Sequence, residues 1–314
     1  MLAVVVEPTA PGRLALRDVD EPMPAPSEAL VRVAAISLNR GEVRRAQAAA
    51  PGWRPGWDLA GTVLRAAADG SGPPVGARVV GLMNPGAWAE RVAVRTDALA
   101  PLPEGVTFAQ AATLPVAGLT ALWALERGGL LLDKRVLVTG ASGGVGHLAC
   151  QLARQAGARV VGAVRQESHA AIAREAGAAA VVVGEDLAGA DAHSPFDLIL
   201  ESVGSRSLGA ALGLLAPDGV CVSFGASAGP EVAFNGQRFY STGGATLYGF
   251  LLFHEATRRS VSAGLARLAG LVAAGQLRPH IDAEAHWEQV GRQAQRLLDR
   301  HLVGKVVLRV EGQR

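Results

Sequence analysis

Between residues 135 and 249 the chain alternates short apolar, β-branched runs with helical stretches, and few architectures accept that pattern. Strands are expected at 135–139, 159–164, 180–183, 197–201, 219–224 and 245–249, with helices at 144–157, 167–176 and 205–215. The strands are apolar almost throughout, so both of their faces are covered. Regular β-α-β alternation of such strands makes a parallel sheet with helices on each side. Six of them complete a doubly wound α/β domain of the kind that holds nucleotides.

The first strand, RVLV, runs into TGASGGVGH at 139–147. Set against the pattern G-x-G-x-x-G, residues 141–146 read ASGGVG, so Ala141 replaces the first glycine while Gly143 and Gly146 hold the other two places. Gly143 lets backbone N–H groups come close to a pyrophosphate, and Gly146 lets the following helix pack tightly on the strand. The helix N-terminus adds unpaired donors and partial positive charge, so Ser142, Gly143, Gly144 and Val145 are expected to hold the phosphates of a dinucleotide. An ordinary strand-to-helix turn also carries glycines. The place of this loop at the head of a six-strand alternation favours the dinucleotide.

An Asp or Glu roughly 20 residues beyond such a loop binds the ribose 2′-hydroxyl of NAD. Here the second strand ends in Arg165, followed by Gln166, Ser168 and His169. A guanidinium suits a 2′-phosphate by charge and by bidentate geometry, which points to NADPH held by Arg165, Ser168 and His169. The plain alternative is an arginine turned to solvent. Ser202–Gly204 with Val203 at its centre, and Phe224 and Gly225, lie just past the carboxyl ends of strands four and five, where a doubly wound sheet binds its ligand.

The first hundred residues read instead as short strands (LAVVVE, ALVRVAAISL, WDLAGTVLRA, ARVVGLM, WAERVAV) broken by Pro and Gly clusters, the punctuation of a compact β-rich domain. The tail gives a helix through SVSAGLARLAGLVAAG, an extended LRPHID, a helix through WEQVGRQAQRLLDR and a last strand GKVVLRV. A lone strand and two helices make no core of their own, so they are expected to complete the N-terminal domain. A length of 314 residues also favours two domains.

No apolar stretch reaches the roughly 18 to 20 residues that span a bilayer. The opening MLAVVVEPTAPG has no basic n-region, so no membrane association and a cytoplasmic location are expected. Cys150 and Cys221 form no metal-ligand spacing and read as core residues. A net charge of +2 without a Lys/Arg block leaves no electrostatic footprint for nucleic acid.

The chain resembles the zinc-independent, zeta-crystallin-like quinone oxidoreductases of the medium-chain dehydrogenase/reductase superfamily. The resemblance runs essentially end to end. It rests on the order and spacing of ISLNRGEV, PGWDLAGTV, GAWAERVAV, AATLPVAGLTAL, GASGGVGHLACQLA, LILESVG, GATLYGF and GKVVL. It implies a doubly wound, parallel six-stranded Rossmann domain at 116–251, inserted in a β-rich GroES-like catalytic domain made of 1–115 with 252–314. It further implies an active-site cleft between domains and a homodimer formed through the cofactor domains.

The catalytic zinc of the alcohol dehydrogenase relatives needs a Cys and a His-Glu where this chain offers Leu38 and Asn39, and Trp57 and Asp58. The four-cysteine loop of their structural zinc is missing as well. No metal is therefore expected.

By the same resemblance, Asn39 matches the Asn beside the nicotinamide, where its amide can orient the carboxamide, the ribose or the substrate oxygen. As a turn residue it would only close a strand. Glu42 stands where relatives often carry Asp, either in the site or positioning the loop. Arg44 takes the place of a pocket Tyr, and Gly184 that of a Tyr that grips the 2′-phosphate. Thr120 reaches the cofactor or caps a helix. Phe250 and Leu251 pass their backbone beside the nicotinamide, or pack in the core. Lys305 is near the cleft or on a strand surface, and His147 faces the pyrophosphate or is helix surface.

Without zinc to take up alkoxide charge, simple alcohol oxidation is disfavoured. A quinone or α,β-unsaturated carbonyl spreads the incoming charge over a conjugated system that hydrogen-bond donors and solvent stabilise. Hydride transfer from NADPH to such a small molecule is the expected activity. The rivals are an enoyl-thioester reductase, for which Arg44, Arg45 and Arg54 would receive carrier phosphates, and a non-catalytic NADPH-binding protein.

Overall fold

The structure is a computed structural model and describes residues 1–310. Seven strands come first: β1 (Leu2–Val6), β2 (Leu14–Asp18), β3 (Glu28–Leu38), β4 (Asp58–Arg65), β5 (Arg78–Leu82), β6 (Arg91–Arg95) and β7 (Leu99–Pro101). Six follow: β8 (Arg135–Thr139), β9 (Arg159–Val164), β10 (Ala180–Val183), β11 (Phe196–Glu201), β12 (Leu215–Ser223) and β13 (Thr246–Gly249). The last two are β14 (Ile281–His286) and β15 (Lys305–Arg309). The chain divides into two compact units, Thr120–Glu255 and the remainder on either side of it.

In the unit Thr120–Glu255 one sheet runs in the order β10-β9-β8-β11-β12-β13, and every pair is parallel. The strand order reverses at β8, so the crevice for a ligand opens beyond the carboxyl ends of β8 and β11. The apolar strands are covered on both faces: Val136, Leu137 and Val138 of β8, and Leu198, Ile199 and Leu200 of β11, are wholly buried.

The helices Gly144–Gln155 and Ala170–Glu175 are shorter than the periodicity suggested; the second starts late because Glu167–His169 forms a separate 3-10 turn, and glycine sets the C-terminal end of both. Gly157 and Gly177 adopt φ of +86° and +104°, and the next amides, Ala158 and Ala178, donate back to Ala153 O and Ala173 O. That left-handed turn with its six-to-one bond terminates a helix. Strand five begins earlier than expected, at Leu215, because β12 absorbs a register shift: Phe196 pairs with Leu215, whereas Leu198 pairs with Val220.

The other unit is built on β3. The first half of β3 buries alternate residues, Ala29, Val31 and Val33, while its last four, Ala35–Leu38, are all buried. The change follows its partners: Glu28–Arg32 pair with β6, Ala35–Leu38 with β15, and β4 runs along the opposite side. The sheet order is β14-β15-β3-β4-β5-β7, with β1 and β2 as a separate hairpin. The tail is not a lone strand with two helices: Ile281–His286, which begins inside the expected extended stretch LRPHID and runs on past it, forms β14, parallel to β15. Its exposed alternate residues kept it from reading as a strand. Trp88, Ile36, Leu59, Val306 and Leu308 belong to the core of this unit.

No helix of the described residues is long and apolar enough to cross a membrane.

Candidate active site

The loop after β8 is shaped by what its residues lack. Gly140 adopts φ of +61°, and a Cβ there would stand 2.8 Å from Ser202 Oγ. Gly143 caps the helix Gly144–Gln155 and donates to Gly140 O at 2.8 Å, and a Cβ on it would come within 3.2 Å of that oxygen. At Gly146 a Cβ would fall 2.2 Å from Gly140 O and 2.8 Å from Ala141 Cα, so only glycine lets the first helical turn rest on the loop. Gly144 and Val145 then head the helix, where backbone N–H groups have no intrahelical acceptor. This cradle fits an anion that approaches the backbone, and a side chain would fill it.

The neighbouring strand ends are tied to this loop. Ser202 donates from its backbone N to Thr139 Oγ1 at 2.9 Å and from its hydroxyl to Thr139 O at 3.2 Å. Phe224 N donates to Glu201 O at 2.9 Å and Phe250 N to Ser223 O at 2.8 Å, while a Cβ on Gly225 would lie 2.7 Å from Ser202 O. Val203, Phe224, Gly225 and Phe250 therefore share one rim, and Phe250 is itself buried. Leu251 follows with its side chain exposed.

Glu201 holds this rim together, and sequence reasoning passed over it. Wholly buried, it accepts from Val203 N at 3.0 Å, Gly204 N at 3.0 Å and Ser207 Oγ at 2.9 Å. A carboxylate inside the apolar run LILES was the available signal, because such a group must find donors.

Arg165 stands half-exposed just past the end of β9, followed by exposed Ser168 and partly buried His169. Among the described residues no acidic group engages it. Thr120 and Ser142 are buried. His147 is buried as well, contrary to the helix-surface alternative, with its Nδ1 2.9 Å from Gln151 Nε2. Both cysteines are free and buried; desolvation pushes the Cys150 thiol up to about 12, and that of Cys221 up also.

In the other unit the chain gathers four polar side chains from distant points. Lys305 does not lie on a strand surface: it is 4% exposed, because β15 pairs with β3 inside the sheet. Its ammonium donates to Asn39 Oδ1 at 2.6 Å, Asp58 Oδ2 at 3.1 Å and Leu38 O at 3.2 Å. Asn39 Nδ2 donates to Asp58 Oδ2 at 2.8 Å and to Glu42 Oε1 at 2.9 Å, and Asn39 N also donates to Glu42 Oε1, at 2.8 Å. Val116 N donates to the second oxygen of Asp58 at 2.9 Å.

Glu42 is wholly buried three places into the helix Arg40–Ala48, and its Oε2 has no hydrogen-bond partner. Burial first, and then the Asp58 charge, raise its pKa well above the usual value, which favours the protonated form. Asp58 is the member that sequence reasoning missed as a partner. Arg44, expected in the pocket, is exposed on the same helix and is not part of the cluster.

Arg45 follows on the same helix, and Arg54 stands in the loop before β4. The Arg45 guanidinium sits 5.1 Å from the centre of the Trp53 ring, and Trp57 Nε1 donates to Asn84 Oδ1 at 3.1 Å. Pro22, Trp53, Arg54, Met83 and Pro85 line an open groove of about 480 Å³. The Nε of Arg54 is buried there without a hydrogen-bond partner, and burial lowers its pKa. Among the described residues no three His, Cys, Asp or Glu side chains are gathered as a metal site requires.

Two family models match the chain: the alcohol dehydrogenase GroES-like domain over residues 25–104 and the zinc-binding dehydrogenase over 144–269. A quinone oxidoreductase of Pseudomonas aeruginosa is 30% identical over 315 residues, covering 95% of this chain and 96% of that protein. An acryloyl-coenzyme A reductase of Metallosphaera sedula is 27% identical over 339 residues, covering 98% and 99%. A mycobacterial protein solved in complex with NADPH superimposes with a TM-score of 0.88 at 28% identity, covering 98% of this chain and 100% of that one. With the sheet order, the glycine cradle and these likenesses together, the chain belongs to the quinone oxidoreductase family of the medium-chain dehydrogenase/reductase superfamily.

Proposed function

We propose that this protein is an NADPH-dependent oxidoreductase that reduces a quinone or an α,β-unsaturated carbonyl without a catalytic metal. The observation that carries the reading is the cradle at Gly140–Gly146, placed at the reversal point of an all-parallel six-stranded sheet. Thr120–Glu255 is the cofactor domain in this reading, and the remainder of the chain the catalytic domain. Ser142, Gly143, Gly144 and Val145 hold the pyrophosphate. Arg165, Ser168 and His169 take the 2′-phosphate, and Thr120, Val203, Phe224, Gly225, Phe250 and Leu251 border the rest of the cofactor.

Bound NADPH supplies a hydride from C4 of its nicotinamide. The acceptor gains that hydride and one proton, and conjugation lets its oxygen carry the intermediate charge without a Lewis acid. Where zinc-dependent relatives place ligands, Asn39 and Asp58 are bonded to the Lys305 ammonium. All three N–H groups of that ammonium are spent within the protein, so the proton comes from solvent.

Oxidation of NADPH at 340 nm by chelator-treated protein, across quinones, alkenals, enoyl thioesters and simple ketones, tests this. Turnover confined to conjugated acceptors is expected. NADPH binding with no turnover on any acceptor would move the reading to a non-catalytic binding protein. The groove at Arg54 favours one variant of the reading, an enoyl-thioester acceptor, since its apolar walls and unpaired guanidinium suit a carrier that bears phosphate. Under that variant Arg54→Ala raises KM for the thioester and leaves a simple quinone unaffected.

The homodimer belongs to the same proposal. Strand β13 is the sheet edge and leaves Leu247 43% exposed, a surface that a second copy would cover. Light scattering on the purified protein decides it. Two reduced, buried cysteines accord with work in the cytoplasm.

A further inference from the structure

Strand β13 lies at the edge of its sheet and pairs with β12, so ladder hydrogen bonds hold it from one side, and Thr246, Leu247 and Gly249 are exposed. The turn Phe250–Leu251 follows it directly. A second restraint on this region comes from three side chains. The Nη2 of Arg127 donates to both oxygens of Glu255, at 3.0 Å each, and also to the Tyr248 hydroxyl, which in turn donates to Glu255 Oε1. The Arg127 guanidinium sits 3.9 Å from the centre of the Tyr248 ring. Glu255 is only 1% exposed, and a carboxylate so far from water needs donors of this kind.

These residues flank the turn. Tyr248 precedes it on β13, and Glu255 ends the short helix Leu252–Glu255 that follows it. His254 N and Glu255 N both donate to Leu251 O, at 2.9 and 3.0 Å, so a hold on Glu255 is also a hold on Leu251. Arg127 acts from a fixed base: Gly128 packs on β11 so closely that a Cβ there would lie 2.9 Å from Leu198 Cδ2. A dinucleotide seated on the cradle after β8, with its 2′-phosphate at Arg165 beyond β9, sends its other half across the ends of β11, β12 and β13. We propose that Arg127, Tyr248 and Glu255 are positioning residues that hold the Phe250–Leu251 turn in place for the nicotinamide half of the cofactor. The inference rests on the proposed function for its cofactor, and every residue it names lies within Thr120–Glu255.

The test separates positioning from stability. Arg127→Met alone strands a buried carboxylate and endangers the fold, so the informative protein is the double variant Arg127→Met/Glu255→Gln, which removes both charges together. Tyr248→Phe is the milder variant, keeping the ion pair and the ring beneath the guanidinium. Two ligands are titrated by calorimetry: NADPH, and adenosine 2′,5′-bisphosphate, which carries the adenine and the 2′-phosphate but no nicotinamide. Thermal melting reports folding. A domain that has lost its structure weakens both ligands, whereas a displaced turn weakens NADPH alone. The double variant is expected to bind the bisphosphate as the wild type does and NADPH about tenfold more weakly, and Tyr248→Phe to lose about threefold for NADPH alone.

Undiminished NADPH affinity in a folded double variant overturns the inference, as does an equal loss for the two ligands. If the double variant does not fold, Tyr248→Phe decides by the same two readings. Wild-type protein that binds both ligands equally gains nothing from the nicotinamide half and also overturns the inference, while leaving the 2′-phosphate site in place. Wild-type protein that binds NADPH but turns over no acceptor strikes the proposed function and leaves the titrations to decide this inference. Wild-type protein that binds neither ligand overturns both.

Discussion

The glycine cradle after β8 and the buried cluster around Lys305 solve opposite problems. The cradle works by omission: side chains are missing at Gly140, Gly143 and Gly146 so that backbone groups stay open to an anion. The cluster works by saturation, since every N–H of Lys305 and of the Asn39 amide is already bonded inside the protein. One region keeps its capacity for a ligand, and the other spends almost all of it on its own geometry.

The contrast is broken most severely at Gly146. A Cβ there would lie 2.2 Å from backbone Gly140 O, so Gly146→Val is expected to destabilise the protein in urea unfolding and to abolish NADPH binding. Gly236→Ala, where no atom stands within 4 Å of the added carbon, is the control and should leave both unchanged. Equal behaviour of the two variants would show that the cradle is not packed as described.

Next in size is the single change Lys305→Met. It leaves Asp58 charged, wholly buried and without its cation, an expected loss of about 3–5 kcal/mol, most of which Asp58→Asn in the same chain should restore. Failure of the second change to restore stability would mean that the charge pair is not what the cluster depends on.

Arg165→Ala sharpens the other side of the comparison without touching the fold. A charge-assisted contact to a 2′-phosphate is worth about 1.5–3 kcal/mol, so NADPH affinity should fall by about one to two orders of magnitude while NADH affinity stays. An unchanged preference would put the phosphate site elsewhere.

The smallest effect belongs to Glu42. Its folded pKa is raised above the ordinary value of 4.5, by burial foremost, so between those two values the folded state holds a proton that the unfolded chain has released. Stability contributed by the protonated form is complete below 4.5 and is lost as pH rises through the raised value. Glu42→Gln removes that loss, and its melting temperature should decline less than that of the wild type on the alkaline side. Parallel profiles for the two proteins would show that Glu42 is ionised in the fold.

The cradle was legible in the sequence because its physics depends on residue type at fixed spacing. Gly143 and Gly146 sit next to RVLV in the chain as in space, and the parallel strands announced themselves by apolar runs that need cover on both faces. Its finer limits were less legible. The helix ends at Gly157 and Gly177 depend on left-handed turns, which the apolar period alone does not mark. The cluster was hardly legible at all. Lys305 and Asp58 are 247 residues apart, and only the pairing of β15 and β4 on the two sides of β3 brings them together. A lysine in GKVVL reads equally well as a surface strand residue until its neighbours are known. Strand β14 was hidden for a related reason: Asp282 and Glu284 give it an exposed face, and its partner β15 lies across a helix from it.

The most direct test follows the hydride itself. NADPH carrying deuterium at the transferred C4 position is incubated with the protein and a simple enone, and the product is analysed by mass spectrometry and NMR. The expected product bears one deuterium at the β-carbon and a solvent-derived hydrogen at the α-carbon, formed by protein pretreated with chelator. Product without deuterium, or deuterium transfer that requires added metal, would contradict a metal-free hydride transfer from NADPH.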